Sequence, residues 1–397
     1  MSGPARAFDV VIAGGGPVGA ALAALAPAGL RIAVVEPRGP DRDGGAPAGG
    51  ERAIALAEGS RRILEEAGAW RLLAPQAAPI RFIHVSQRGR PGITRLGCDE
   101  CGVEALGWVV PGPALERALA ARLGELGHVE RIAGHVRALA DDGACVRVRV
   151  EHGGGARELE AALVVGADGT ASRVREAAGI GVERWDYGQD AVLATLETAR
   201  PHEGWAYERF TDEGPMALLP LGPRRMALVW TLPRRRAAAA LRLAGGEFAA
   251  RVQERFGWRL GRLRLAEPGR ARHPLRMVRA REAVRGRVAL VGNAMRTLHP
   301  VAGQGFNLGL RDARSLARLL EEAAWDGADP GAPERLAAYA RRRARDQRRV
   351  LTFTELLVRG FASPLAPVAW ARGLALVLLE LAPPARRALA RAAMGLA

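Results

Sequence analysis

The residues best suited to chemistry lie between Arg287 and Asp312, where a short apolar strand runs into a Gly/Pro-rich loop that opens onto a helix. Backbone N–H groups at the start of a helix can hold an oxygen-rich, negatively charged ligand. The only two Asn residues of the chain, Asn293 and Asn307, both lie in this segment. We therefore interpret the segment as one half of a cofactor site.

The other half lies near residue 9, where the apolar strand Asp9–Ala13 is followed by the pattern G-x-G-x-x-G and an Ala/Leu-rich helix. In this pattern Gly14 makes a tight turn, Gly16 lets the backbone approach a pyrophosphate, and Gly19 allows close packing of the helix on the strand. A second strand ends at Glu36, at about the spacing of the carboxylate that binds an adenosine ribose. Strand, helix and carboxylate together favour dinucleotide binding over a plain strand-to-helix turn.

A third element separates this chain from a simple nicotinamide dehydrogenase, which needs only the first fingerprint and a catalytic domain. The strand before Gly166 ends in a turn with Asp168 and Gly169 at its tip, and Arg175 follows one helical turn after Ser172. The combination resembles the FAD-dependent aromatic hydroxylases of the p-hydroxybenzoate hydroxylase fold. In that family the first glycines hold the ADP half of FAD, the Asp-Gly turn lies near the pyrophosphate, and a late Gly-Asp/Asn motif binds the ribityl chain and flavin.

The resemblance narrows to the ubiquinone-biosynthesis hydroxylases. Gly292-Asn293-Ala294, followed by Thr297-Leu-His-Pro-Val-Ala-Gly-Gln-Gly-Phe-Asn-Leu-Gly309, is similar to their signature. The segments around Arg52 and from Glu208 to Pro220 are also similar to that subgroup. His202-Glu-Gly204 and Phe256-Gly-Trp-Arg-Leu-Gly261 are similar to the members that hydroxylate 2-polyprenyl-6-methoxyphenol.

The resemblance implies an FAD-dependent monooxygenase that uses NADPH or NADH, O2 and a polyprenylated methoxyphenol, with no metal. The flavin, reduced by NAD(P)H, activates dioxygen, and the protein binds and orients the phenol, excludes water and favours the phenolate. The implied cofactor-binding residues are Gly14, Gly16, Pro17, Gly19, Glu36, Arg52, Asp168, Gly169, Arg175, Gly292, Asn293, Gly303, Gln304, Gly305 and Asn307.

Three residues are candidates for the catalytic site itself. Pro300 would line the flavin ring, and His299 and Tyr207 could polarise the phenol. A packing role stays open for both: His299 could brace the loop by hydrogen bonding, and Tyr207 could belong to a sheet core.

The sequence departs from the family pattern at three places. Gly50 takes the position of an Asp, Met295-Arg296 replaces an Ala-His or Ala-Gln pair, and Ser86-Gln87 replaces Ser-Asp. These changes put contacts around the site in doubt rather than FAD binding itself.

Composition limits the partners. The formal net charge is +16, and because the chain has no Lys the positive side is carried by Arg alone. The arginines are scattered and no nucleic-acid motif accompanies them, so we expect no nucleic-acid partner. An anionic membrane surface or an acidic partner stays open.

Three Cys cannot form a closed set of disulfides, which favours a reducing cytoplasm. The isolated pair Cys98 and Cys101 fits a loop better than a metal or redox site.

The pattern of elements predicts an α/β protein with a discontinuous, Rossmann-like FAD-binding domain and an inserted antiparallel substrate sheet. The expected boundaries are 1–75, 105–180 and 277–345 for the FAD domain, 76–104 and 181–276 for the substrate domain, and 346–397 for a C-terminal helical segment. Within the substrate domain, residues 233–250 read as one helix with a solvated basic face, which starts at Pro233.

The C-terminal segment has two interpretations. Its apolar run near residue 374 is too short to span a bilayer and is interrupted by Pro residues. It is either a helix pair that covers the FAD domain or a docking surface for a membrane or for other ubiquinone-biosynthesis proteins. We expect a cytoplasmic protein, with contact to the inner membrane left open.

Three rival functions share parts of this pattern. A halogenase would need its own Lys, which this chain lacks. An isoprenoid reductase on the same fold is not excluded by FAD motifs alone. The third is a flavin-binding scaffold without activity. In that case Gly50 and Arg296 would be substitutions that followed the loss of catalysis.

Overall fold

The protein is described by a computed structural model that covers residues 8–37, 53–266, 269–297, 303–362 and 366–396. Its strands are β1 (Phe8–Ala13), β2 (Ile32–Glu36), β3 (Ala53–Ala57), β4 (Ala78–Ile80), β5 (Phe82–Gln87), β6 (Ile93–Gly97), β7 (Gly107–Pro111), β8 (Val129–Ala133), β9 (His135–Asp141), β10 (Val146–His152), β11 (Gly155–Gly166), β12 (Val182–Thr198), β13 (Trp205–Phe210), β14 (Pro215–Gly222), β15 (Arg225–Pro233), β16 (Leu263–Leu265), β17 (Ala271–Ala280), β18 (Val284–Arg285), β19 (Val288–Leu290) and β20 (Arg296–Thr297).

The helices are α1 (Pro17–Leu25), α2 (Glu58–Glu66), α3 (Trp70–Leu73), α4 (Gly112–Gly124), α5 (Arg173–Ala177), α6 (Arg234–Arg242), α7 (Gly245–Phe256), α8 (Gly292–Met295), α9 (Gln304–Asp326), α10 (Pro333–Ala362), α11 (Ala366–Leu381) and α12 (Pro383–Ala393).

The first sheet is the frame of the dinucleotide motif. Five parallel strands run in the order β19-β11-β1-β2-β8, and β18, β9 and β10 extend the sheet by antiparallel pairing. Strand β1 is apolar along most of its length because both faces are covered, and Val10, Val11 and Ile12 are fully buried. The predicted α/β class is confirmed, with β1, α1 and β2 in the expected order.

The second sheet runs in the order β20-β17-β12-β15-β14-β13-β5-β6, with β16 paired to β12. Its pairing is antiparallel except between β13 and β5, which lie parallel with Trp205 opposite Phe82. The expectation of a purely antiparallel sheet is therefore wrong at this pair. The two strands come from separate insertions, and the long crossover between them permits parallel pairing.

The two faces of the second sheet have different uses. One face builds a core with α7 in which Val192, Met216 and Trp230 are buried against Phe256. The opposite face turns towards the first sheet. A small third sheet, in the order β3-β7-β4, packs β4 and β7 against β14 of the second sheet.

Residues 233–250 do not form the single predicted helix. The chain forms α6 and α7, with a break at Leu243 and Ala244. Gly245 and Gly246 weaken helix continuation, and the Glu247 carboxylate accepts a hydrogen bond from the Ala244 N–H, which caps a new start. The exposed arginines at the start of α6 fit the predicted basic face.

The C-terminal helices pack mainly on the β5–β6 hairpin rather than only on the FAD domain. The Thr94 hydroxyl donates to the Leu376 carbonyl at 2.7 Å, and the Glu380 carboxylate accepts from the Arg95 backbone N–H at 2.8 Å. Helix α10 runs through residues 345 and 346, so the expected segment boundary there is not a break in secondary structure. Within the described ranges, no helix is both long enough and apolar enough to cross a membrane.

A buried carboxylate joins the elements around the late Gly-Asn motif. Asp312 on α9 is fully buried and accepts hydrogen bonds from Arg296 of β20 at 2.7 and 2.9 Å and from Arg343 of α10 at 2.6 Å. It also accepts from the Gly292 N–H at 3.2 Å. Arg296, one of the departures from the family pattern, is therefore a structural ion-pair partner that fixes α8 and β20 against α9.

Candidate active site

A cavity of about 1540 Å³ lies between the two large sheets. The glycine-rich turn after β1 and the late Gly-Asn motif line one end, the second sheet forms a wall, and α11 and α12 close another side. All three motifs found in the sequence therefore meet at one space.

Gly14 and Gly19 fix the turn after β1 and the packing of α1 on it. Gly14 has φ of +105°, and a Cβ there would lie 2.5 Å from the Ala167 carbonyl oxygen. A Cβ on Gly19 would lie 2.0 Å from the Gly14 carbonyl oxygen. Both positions require glycine, since any side chain would push α1 away from the strands.

Gly16 differs from these two because a Cβ there would meet no atom within 4 Å. It caps α1, whose first residue is Pro17, and the first turn of the helix contains no acidic residue. The partial positive charge of this helix end is thus left for a ligand. Beside it, the Glu36 carboxylate accepts the Gly15 N–H at 2.6 Å and lines the cavity.

In the Asp-Gly turn, only one of the two carboxylate oxygens of Asp168 accepts hydrogen bonds from described residues. Oδ2 of Asp168 accepts the backbone N–H groups of Arg173 at 2.7 Å and Val174 at 3.1 Å, which starts α5. Oδ1 is buried without a hydrogen-bond partner among the described residues. Gly169, with φ of +82°, also lines the cavity. A buried acceptor of this kind indicates a donor group on a ligand.

Arg175 holds two motifs together rather than lining the cavity. Its guanidinium donates to the Ala294 carbonyl at 2.8 Å and to the Thr170 carbonyl at 2.9 Å. Burial lowers the pKa of this group. Its predicted direct contact with the cofactor stays a prediction, and its geometry supports a positioning role between the Asp-Gly turn and the Gly-Asn motif.

The late motif brings most of its residues to the cavity. Gly292 and Gly303 adopt left-handed φ values of +56° and +60°, and Asn293 is exposed on the cavity wall. Gln304 and Gly305 form the start of α9, whose first turn has no acidic residue. A second helix N-terminus therefore points at the same space as that of α1.

Asn307 shows why the chain keeps an amide at this position. Its Oδ1 accepts the Ala57 N–H at 2.8 Å, and its Nδ2 donates to the carbonyls of Ala55 at 3.1 Å and Gly303 at 2.8 Å. The side chain thus ties β3 to the start of α9. Its predicted cofactor contact stays a prediction. Arg52, His299 and Pro300 lie outside the described residues.

Tyr207 and its neighbour Glu208 occupy opposite faces of β13. The Tyr207 ring packs edge-on against Phe256, with centroids 5.2 Å apart, and lies 5.8 Å from the ring of His84. Burial raises the pKa of the Tyr207 hydroxyl. Tyr207 contributes to the wall of the cavity, but its ring belongs mainly to the core on the far face. Its catalytic role stays a prediction.

Comparison with known proteins agrees with this geometry. Residues 7–354 match the sequence profile of a family described as FAD binding domain. The chain belongs to this FAD-binding family.

Two relatives place it among hydroxylases. It is 40% identical to the ubiquinone hydroxylase UbiL of Rhodospirillum rubrum, over 98% of this chain and 90% of that protein. It is 30% identical to the 3-demethoxyubiquinol 3-hydroxylase of Escherichia coli K12, over 98% of each. The crystal structure of PqsL, a probable FAD-dependent monooxygenase from Pseudomonas aeruginosa, shares the fold with a TM-score of 0.75 at 24% identity, covering 93% of this chain and 99% of that one. The protein is an FAD-dependent hydroxylase, and neither a reductase nor a scaffold is favoured.

The residues present fit FAD. The open space at Gly16 leaves room for the pyrophosphate, and the Glu36 carboxylate lies beside it for the adenosine ribose. The unpartnered Oδ1 of Asp168 provides an acceptor for a hydroxyl of the cofactor. The N-terminus of α9 would offer backbone N–H groups to the flavin, which gains negative charge on reduction.

Sequence reasoning missed Glu208 and the contribution of α11 and α12 to the cavity. Glu208 stands within the segment from Glu208 to Pro220 that carries the family resemblance. The strand parity of β13 was the available signal, because alternate residues of a strand face opposite sides of its sheet. Nothing in the sequence indicated that α11 and α12 would reach the β5–β6 hairpin.

Replacement of Gly16 by Ala separates cofactor binding from folding. The added methyl group meets no protein atom but narrows the space beside the pyrophosphate, so we expect the FAD dissociation constant to rise by about 10-fold or more. The stability of the apoprotein should stay within about 0.5 kcal/mol of the wild type. FAD titration by flavin fluorescence and urea unfolding of the apoprotein measure the two effects.

Gly19→Ala is the matched control. Its methyl group would overlap the Gly14 carbonyl, so unfolding of the apoprotein should become easier by roughly 1–3 kcal/mol. Wild-type FAD affinity in Gly16→Ala would contradict the assignment of this turn to the pyrophosphate.

Proposed function

We propose that this hydroxylase acts in ubiquinone biosynthesis on a methoxyphenol that carries an isoprenoid chain. The observation that carries the proposal is the apolar part of the cavity, which extends from the second sheet to the C-terminal helices. Its walls there are formed by Ile83, Val85, Leu96, Leu376, Leu379, Leu389 and Met394. Such a space suits a long hydrocarbon, because burial of each CH₂ group contributes about 0.8 kcal/mol.

The proposed division of labour follows the two sheets. The first sheet and its helices, with the expected ranges 1–75, 105–180 and 277–345, would hold FAD. The second sheet would hold the phenol with its ring below the flavin, and the C-terminal helices would cover the chain. Bound FAD, reduced by NADPH or NADH, supplies the activation of dioxygen. The protein binds and orients the phenol and excludes water.

Arg52, His299 and Pro300, which lie outside the described ranges, keep their proposed roles, and so does Tyr207. Arg52 would reach the pyrophosphate of FAD, and Pro300 would line the flavin ring. His299 and Tyr207 stay candidates for contact with the phenol oxygen.

We also propose that the outer face of α11 rests on a membrane surface. Trp370, Leu374, Leu378 and Leu381 recur at helical spacing and are 57–74% exposed. The opposite face of the same helix, at Leu376 and Leu379, lines the cavity. A lipid surface at this helix would place the substrate reservoir next to the apolar end of the cavity.

The packing of α11 supports a rigid docking face. A Cβ on Gly373 would lie 2.7 Å from the Pro91 carbonyl, so the helix approaches the β5–β6 turn at backbone distance. The guanidinium of Arg90 lies 5.6 Å from the Trp370 ring centroid, on the rim of the same face. Cations at this rim would favour anionic lipid headgroups.

The function is tested with the purified flavoprotein, NADPH and a short-chain 2-prenyl-6-methoxyphenol. We expect the phenol to stimulate both NADPH oxidation and oxygen uptake, with one hydroxylated product formed per NADPH consumed. Parallel assays with NADH identify the preferred donor. A bound flavin that no prenylated phenol stimulates would contradict the proposal.

The membrane contact is tested by flotation with vesicles of phosphatidylethanolamine and phosphatidylglycerol. The double variant Leu374→Ser/Leu378→Ser should lower the bound fraction by about 10-fold or more, because it removes apolar surface from the docking face. Trp325→Ser removes a still more exposed apolar side chain, on α9, and serves as the control. Equal binding of the double variant and the wild type would rule out α11 as the docking face.

A further inference from the structure

Glu208 is the acidic side chain on the wall that the second sheet presents to the cavity. The strands alternate so that Ala206, Glu208 and Phe210 of β13 line the cavity, and Tyr207 packs in the opposite core. Directly across from Glu208 lie Ala217 on β14 and Val85 on β5. The carboxyl group therefore stands among apolar side chains.

The charge of Glu208 has no counterpart in the described part of the chain. No hydrogen bond or ion pair joins its carboxyl to a described residue, and burial alone raises its pKa to about 7. Glu208 is partly exposed to the cavity, so a donor group on a bound ligand can reach its carboxyl.

The neighbouring elements offer few other ionisable groups. Strands β5, β12, β14 and β15 present only uncharged residues to the cavity. The titratable and charged residues elsewhere on its wall are Glu36, Glu116, His135, Asp168 and Arg173 towards the cofactor motifs, His273 and Arg276 on β17, and Arg372 on α11. Tyr207, which precedes Glu208 on β13, also contributes to the wall, although its ring packs against Phe256 on the other face. Arg209 directs its side chain to that other face, where its guanidinium donates to Ser86 and the Arg255 carbonyl.

We propose that the Glu208 carboxylate accepts the hydrogen bond and then the proton of the substrate's phenolic hydroxyl. This inference rests on the proposed function, since it requires a phenol in the apolar part of the cavity. It assigns the activation of the ring to the residue next to Tyr207, on the face that the substrate would occupy.

The proton balance of the step is simple. The phenolic O–H bond breaks, its proton goes to Glu208, and the electron pair left on oxygen raises the electron density of the ring carbons ortho and para to it. One of these carbons forms a C–O bond to one oxygen atom of O2 as the O–O bond breaks, and the other oxygen atom, reduced by the two electrons of NAD(P)H, leaves as water. That carbon then loses its hydrogen as a proton, and Glu208 returns its own proton to the phenol oxygen. Overall, ArH, O2, NAD(P)H and a proton give ArOH, H2O and NAD(P)⁺.

The test compares Glu208→Gln with the wild-type holoenzyme, with Glu183→Gln as the matched control. Gln keeps the size and hydrogen-bonding capacity of Glu but cannot take the proton. Glu183 undergoes the same chemical change at an exposed position of the same sheet, where it pairs with Arg279. All three proteins should contain equal amounts of FAD by flavin absorbance.

The readouts are the affinity for 2-prenyl-6-methoxyphenol and the pH profile of hydroxylation. With wild type and Glu183→Gln we expect a rate that falls as the pH drops below about 7 and levels off above it. With Glu208→Gln the phenol should bind within about 10-fold of wild-type affinity, but kcat should fall roughly 100- to 10,000-fold, the range for loss of a positioned acid or base. The remaining rate of Glu208→Gln should keep rising with pH towards the ionisation of the phenol itself at about pH 10.

A stability measurement checks the environment of Glu208 independently of activity. The unfolded carboxyl titrates near 4.3 and the folded one near 7, so the ionised form is disfavoured in the folded state. Wild type should therefore lose melting temperature relative to Glu208→Gln between pH 4.3 and 7, and the difference should then level off.

The possible failures are distinguishable. Absence of hydroxylation by the wild type with any prenylated phenol would refute the proposed function and this inference with it. Hydroxylation by the wild type with an unchanged kcat and pH profile in Glu208→Gln would overturn the role of Glu208 alone.

Discussion

The buried carboxylate of Asp312 is the interaction on which the site depends. It accepts hydrogen bonds from two guanidiniums and from the Gly292 N–H, and it thereby joins α8, β20, α9 and α10. Gly292, the first residue of the late Gly-Asn motif, contacts this cluster. Asp312 itself lies on α9, whose N-terminus faces the cavity. Arg296 and Arg343 share the Asp312 carboxylate, and Arg343 also pairs with Asp346 at 2.7 Å, whereas loss of one partner would leave uncompensated charge. Arg296 is thus part of the frame that positions the flavin-binding end of the cavity.

Strand parity decides what the second sheet can do. One set of alternating residues builds a core with α7, including Trp230 and Phe256, and the other set forms the wall of the cavity. A shift of one residue would exchange the two sets. For this reason Tyr207 and Glu208, adjacent in sequence, have different surroundings. The aromatic ring completes a core, and the carboxyl group faces the space that a substrate would enter.

The sequence was sufficient to predict the class of fold and the FAD cofactor, because strand, glycine turn and helix are local patterns. Long-range contacts could not be read in the same way. The parallel pairing of β13 with β5 joins two separate insertions, and the hydrogen bonds of Asn307 tie β3 to α9 across the site. Gly245 and Gly246 indicate the break between α6 and α7, because glycine weakens a helix. The Ala-rich run before them nevertheless favours a single helix in the sequence. Side-chain roles such as that of Arg175 depend on the same distant contacts.

We propose that the cavity between the sheets brings a phenol to FAD for hydroxylation of its ring by dioxygen. Turnover under ¹⁸O2, with mass analysis of the product of a short-chain 2-prenyl-6-methoxyphenol, measures the source of the added oxygen. We expect a product heavier by one ¹⁸O atom, with that atom bound to a ring carbon. A product whose added oxygen comes from water, or a substrate reduced without gain of oxygen, would contradict the account.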